Sequence, residues 1–128
     1  MAPRRRWQDG AVATRVLIVD DFEGFRRTAR ALLEADGFEV VGEAADGEAA
    51  VAEAGRLQPA VVLLDVQLPG IDGFAVAERL AAADGGPAVV LVSSHDAGSY
   101  RRRLARSPVR GFIPKAELSG DRLAALLE

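Results

Sequence analysis

The stretch AVVLLDVQLPG, residues 60–70, decides how this chain folds. Residues 60–64 are apolar without polar alternation, which is what a strand covered on both faces of a sheet requires. The run ends at Asp65. Val66, Gln67, Leu68, Pro69 and Gly70 then intervene before helical spacing resumes near Asp72. An aspartate after a strand often serves only to cap the next helix. Asp65 is harder to dismiss as a cap, because those five residues separate it from the helix.

The same unit recurs on both sides. Apolar runs at 16–19, 38–41, 88–92 and 111–113, the last preceded by Val109, read as four further strands. Between them lie segments of helical spacing. Phe22, Phe25, Ala29, Leu32 and Leu33 mark the first helix, stopped by Gly37 after Asp36. Asp46 caps a second helix with Ala49, Ala50, Val51, Ala54 and Leu57 on its apolar face, closed by Pro59. Asp72 caps a third with Phe74, Ala77 and Leu80 inward, ended by Gly85, Gly86 and Pro87. A fourth helix is expected from about Asp96 to Ala105 and a fifth from about Ser119 to Leu127. Five alternating strands and helices imply an α/β fold with a doubly wound parallel five-stranded sheet.

Composition narrows the function classes. The 128 residues fit one domain, and 49% of them are apolar, enough for a substantial core. There is no cysteine, which excludes disulfides and thiolate metal sites. One histidine, His95, gives a Ser/His/Asp triad little to build on. The apolar runs are too short to cross a bilayer, which needs about 20 residues. The N-terminus carries Arg4, Arg5 and Arg6 without the apolar segment of a signal peptide. Residues 1–14 read as a flexible tail, residues 15–128 as the domain, and the protein as cytoplasmic. The net charge of −3 decides little about partners.

In doubly wound sheets the site lies beyond the carboxyl ends of the strands, where strand order reverses. Asp20 and Asp21 follow the first strand, Asp65 the third, Ser93 the fourth and Lys115 the fifth. Singly, each has an ordinary explanation: a cap, a turn hydroxyl, a solvated ammonium. Five such residues at five strand ends form a constellation. Two bare carboxylates 4 Å apart repel by about 4 kcal/mol at an effective dielectric near 20, so the cluster calls for a cation. Oxygen-only ligands in a compact site point to Mg2+. A carboxylate beside that ion can attack phosphorus, with Lys115 neutralising the phosphoryl oxygens and Ser93 donating to one of them.

With these motifs in place, the sequence resembles the receiver domain of two-component response regulators. The resemblance rests on Asp20-Asp21, on residues 63–70, on Ser93-Ser94 and on Phe112-Ile113-Pro114-Lys115, and spans about residues 15–127. It implies a flavodoxin-like strand order 2-1-3-4-5 and Asp65 as phosphoacceptor. It further implies Asp21 as a direct Mg2+ ligand, Asp20 acting mainly through water, and Gln67 contributing its backbone carbonyl. Ser93 becomes the switch hydroxyl, Lys115 the phosphate-binding cation and Phe112 the switch aromatic. Where the family often has Tyr, Phe112 has no tip hydroxyl, so a readout through one is expected to be absent. Gln67 and His95, two residues past Asp65 and Ser93, are the positions that tune dephosphorylation.

Residues 111–118 are most like receivers that precede a LuxR-type helix-turn-helix, and no recognition helix follows in this sequence. A stand-alone receiver, a relative without its output domain and a fragment are all compatible with that. The implied partners are a sensor histidine kinase or phosphotransfer protein, an output partner at the face of the fourth helix, fifth strand and fifth helix, and optionally a second copy in a homodimer. Arg101, Arg102, Arg103, Arg106 and Arg110 make that face basic, suiting an acidic protein. No nucleic-acid docking motif accompanies the charge. The alternative is a pseudoreceiver, an interaction domain without phosphotransfer. A phosphatase of α/β fold needs a second carboxylate where Gln67 stands, and no Gly-rich loop follows residues 16–19 to hold a nucleotide.

Overall fold

A computed structural model describes residues 13–128; the expected tail with Arg4, Arg5 and Arg6 lies, apart from Ala13 and Thr14, outside the described residues. The five apolar runs become β1 (Arg15–Val19), β2 (Glu39–Ala44), β3 (Val61–Asp65), β4 (Ala88–Ser93) and β5 (Gly111–Pro114). All pair in parallel, in the order β2-β1-β3-β4-β5. Order reverses between β1 and β3, which puts Val19 beside Leu64 and brings the following Asp20 and Asp65 to one edge.

Successive strand residues face opposite sides of the sheet, and each side has its own core. Val16, Ile18, Val61, Leu63, Val90, Val92 and Ile113 pack with Ala29 and Leu33 of α1 (Glu23–Ala35) and Leu123 and Ala124 of α5 (Gly120–Leu127). Leu17, Val19, Val62, Leu64, Val89 and Leu91 pack with Ala50 and Ala54 of α2 (Gly47–Leu57) and with Phe74, Val76, Ala77 and Leu80 of α3 (Gly73–Ala82). This is the doubly wound arrangement expected from the alternation.

Local chemistry sets the helix ends. Asp46 accepts from Ala49 N–H, Asp72 from Ala75 N–H and Ser119 from Arg122 N–H, each satisfying an orphan donor of the first turn. Gly37, at φ 96°, releases the chain from α1 in a conformation that side chains resist. Gly73 meets a different demand: a Cβ there would stand 2.3 Å from the Asp65 carbonyl oxygen, so only glycine lets α3 start directly behind that residue.

Two expectations change. Phe22, read as the first inward residue of α1, is 67% exposed. It is the residue before the helix, in extended conformation, and so falls outside the helical phase. The fourth helix is not continuous from Asp96. Ala97–Tyr100 form a 3-10 turn and only Arg101–Ala105, here α4, is α-helical. Neither segment contains a buried residue.

Candidate functional site

At the carboxyl edge of β1 and β3, Asp20 is fully buried and Asp65 nearly so, while Asp21 is exposed. One oxygen from each lies within 4.8 Å of the others. Strand pairing accounts for the first two, since they follow adjacent, parallel, apolar strands. Lys115 arrives from the end of β5 and spans the pair: its Nζ is 2.6 Å from Asp20 Oδ2 and 3.3 Å from Asp65 Oδ2. The ammonium also lies 4.6 Å from the centroid of the Phe25 ring, a cation–π contact that holds it from the α1 side.

The carboxylates differ in their commitments. Asp20 Oδ1 accepts from Phe22 N–H at 2.9 Å and its Oδ2 faces Lys115, so both oxygens are engaged within the protein. The Asp20 carbonyl is held by Arg26 at 2.6 Å, and Arg26 and Arg30 share Glu43 of β2, bracing the loop from the α1 side. Asp65 Oδ1 accepts only from Gln67 N–H, at 3.2 Å. Asp21 projects outward.

Burial pushes the Asp65 carboxyl up to about 6; the Asp20 charge pushes the same way, against Lys115 and the Gln67 N–H. Burial also acts to lower the Lys115 pKa, but Asp20 and Asp65 outweigh it and raise the value, so Lys115 stays charged. Three clustered carboxylates, two of them paired with one ammonium, leave a negative, oxygen-only pocket. Asp20 Oδ2 is buried without a well-aligned hydrogen bond, despite its ion pair with Lys115. This donor set fits a hard divalent cation such as Mg2+.

Ser93 is buried at the end of β4, one residue beyond the Val92 that pairs with Asp65. Its Oγ accepts from His95 N–H at 3.1 Å and shares a hydrogen bond with the Tyr100 hydroxyl, also at 3.1 Å. Phe112 is half-buried on β5 with its ring centroid 5.8 Å from that of Tyr100. Gln67 and His95 are exposed, the His95 ring lying edge-on to Tyr100 at 6.3 Å. Tyr100 is the residue that sequence reasoning missed. Phe112 indeed has no hydroxyl, yet Tyr100 brings one to Ser93 from the neighbouring turn. The available signal was the chain's single tyrosine seven residues after Ser93.

The fold is that of a receiver domain, and the comparisons agree. The chain belongs to the response regulator receiver domain family, whose model matches residues 16–128. The transcriptional regulatory protein PdtaR of Mycobacterium tuberculosis is 34% identical over 123 residues, covering 89% of this chain and 60% of that protein. Among solved structures, the signal receiver domain of the putative response regulator NarL from Mycobacterium tuberculosis superposes with a TM-score of 0.80 at 31% identity, over 90% of this chain and 97% of that one. A CheX-CheY-BeF3-Mg+2 complex from Borrelia burgdorferi matches with a TM-score of 0.75 at 25% identity, over 89% and 86%. The chain spans about half the length, or less, of several curated relatives it matches. Receiver domains are signalling modules of two-component systems, working with histidine kinases or phosphotransfer proteins and with output domains. Among the described residues no helix is long and apolar enough to cross a membrane.

Proposed function

We propose that this chain accepts a phosphoryl group from a histidine kinase or phosphotransfer protein onto Asp65 and signals through α4, β5 and α5. The observation that carries this reading is the setting of Asp65: nearly buried, flanked by two more carboxylates and 3.3 Å from the Lys115 ammonium. A carboxylate in that setting is costly unless it has a use. An Asp65 oxygen attacks phosphorus, the bond from phosphorus to the donor nitrogen breaks, and its electron pair leaves with the imidazole. The product is an acyl phosphate. Lys115, already paired with Asp65, follows the charge onto a phosphoryl oxygen. The Ser93 hydroxyl donates to another. Asp21, Asp65 and the Gln67 carbonyl, with Asp20 behind them, would hold Mg2+, which would supply further positive charge for those oxygens. Asp20 keeps Lys115 in place, since both its oxygens are committed within the protein.

The output surface is basic. Arg101, Arg102 and Arg106 are exposed and make no ion pair among the described residues. Arg103 is excluded from the expected patch because it is spent on Asp72 at 2.6 Å and on the face of Phe74. A partner with an acidic surface fits there. The site is tested by incubating the protein with acetyl phosphate or phosphoramidate and Mg2+ and weighing it intact. One phosphoryl adduct is expected, absent in Asp65→Asn. Equal labelling of that variant overturns the assignment, and no adduct on the parent returns the chain to a phosphorylation-independent interaction domain.

A further inference from the structure

We infer that Tyr100 is a positioning residue for Ser93: its hydroxyl holds the Ser93 hydroxyl in the resting state and competes for it with the phosphoryl group. The inference rests on the phosphoacceptor reading above. Ser93 Oγ is buried and has two contacts, the His95 N–H and the Tyr100 hydroxyl, both at 3.1 Å. A serine hydroxyl has one hydrogen to give. If it donates to Tyr100, it cannot donate to a phosphoryl oxygen. If Tyr100 is the donor, two N–H and O–H donors together fix the serine oxygen in its present rotamer. In the first case, reaching the phosphoryl group requires Ser93 to release Tyr100; in the second, Ser93 keeps its own hydrogen and must leave Tyr100 to the extent that its rotamer has to change.

The release has consequences because of where Tyr100 sits. It closes the 3-10 turn that leads directly into α4. Its ring lies between Phe74 of α3 and Phe112 of β5, with centroids 5.9 and 5.8 Å away and tilted 53° and 48°. Three residues on, Arg103 lies over the other ring of the pair, 4.2 Å from the Phe74 centroid, and bonds Asp72 at 2.6 Å. No residue of α4 is buried, so these side chains and the partly buried Leu104 are its attachments to the body of the domain. Losing the Ser93 bond removes the polar anchor that Tyr100 provides at the helix entrance. The exposed Arg101 and Arg102 begin at the next residue. Ser93 is thereby tied to the basic surface through a tyrosine on the turn between them.

Tyr100→Phe deletes the hydroxyl and keeps the ring. In the whole chain with Mg2+, titrated with fluoroberyllate as the phosphoryl mimic, it should bind about three- to tenfold tighter than the parent, the range of one net hydrogen bond. In a Ser93→Ala background the same substitution should change nothing. An equal gain in both backgrounds overturns the competition, as does no gain in either. Without metal or mimic, amide exchange across Arg101–Ala105 should quicken in Tyr100→Phe and in Ser93→Ala, with no further increase in the double variant. Unchanged or additive exchange overturns the resting restraint. If the parent does not bind fluoroberyllate, the phosphoacceptor reading and the competition fall together, whereas a parent that binds beside an unresponsive Tyr100→Phe removes the present inference alone.

Discussion

The acidic edge and the α4 segment are neighbours built on opposite plans. Asp20 and Asp65 stand at the ends of strands whose apolar side chains are buried on both faces. The loop after Asp20 is braced by Arg26, Arg30 and Glu43, and α1 behind it runs thirteen residues. The α4 segment is five residues long, preceded by a 3-10 turn and studded with exposed arginines. Chemistry that must hold charges at fixed distances belongs on rigid elements. A readout that must change shape belongs where few buried contacts have to be broken. On the proposed function, the difference in packing is a division of labour between a site held fixed and a surface that few buried contacts hold back.

The comparison breaks if the two regions prove equally costly to damage. Leu63→Ala, at a fully buried position on β3, should cost about 3–4 kcal/mol in denaturant unfolding. Leu104→Ala, at a half-buried position on α4, should cost about 1 kcal/mol or less. Similar losses at both would show that α4 is as firmly built as the sheet.

The acidic edge has its own internal contrast. Asp20 is occupied by Phe22 N–H and Lys115, while Asp21 is exposed. Asp21→Ala should therefore weaken Mg2+ binding by about tenfold, some 1.4 kcal/mol, and by more than Asp20→Ala does in the same calorimetric titration. If both variants bind like the parent, the pair serves only to shape the β1–α1 loop.

The cost of the site should be visible in stability. Asp65 has its pKa raised to about 6 in the folded protein, first by burial and then by Asp20. The folded state therefore holds that proton more tightly than the unfolded chain. Its contribution to stability is full below the unfolded value near 4 and is lost as pH rises through about 6. Asp65→Asn should gain about 1–2 kcal/mol over the metal-free parent at pH 8, after allowing for the weakened Lys115 pairing. The gain should shrink as pH falls towards 4. A difference independent of pH would mean that Asp65 ionises freely.

Much of this was legible beforehand because strand periodicity and strand ends are local signals. Asp20, Asp65, Ser93 and Lys115 each follow an apolar run, and parallel pairing leaves them nowhere else to go. The α4 region was not legible for the complementary reason. Nothing in residues 96–105 marks where a 3-10 turn gives way to an α-helix, yet that switch decides which way Tyr100 points. Phe22 was misplaced by one residue of helical phase, because its neighbours Phe25 and Ala29 continue the apolar spacing. The spending of Arg103 on Asp72 and Phe74 depends on a contact 31 residues away in sequence, which no local pattern encodes.

The smallest expected effect lies at the seam between the two regions. An acyl phosphate on Asp65 lasts as long as water is kept from the line of attack. Gln67 and His95, each two residues past a site residue and both exposed, are the residues proposed to influence that approach. Gln67 is tied to Asp65 by its backbone N–H, which leaves its side-chain amide free to orient a water. The His95 backbone is fixed to Ser93 Oγ, and its ring stands edge-on to Tyr100. A bulky ring held on the serine loop shields more than it activates, because a water-orienting amide by itself gives modest acceleration. His95→Ala should therefore shorten the phosphorylated lifetime by a few-fold, measured as decay of the intact-mass adduct after the phosphodonor is removed. Slower decay in the variant would identify the imidazole as the base that takes the proton from the attacking water. An unchanged lifetime would leave His95 pointing into solvent, with the seam governed by Tyr100 and Ser93.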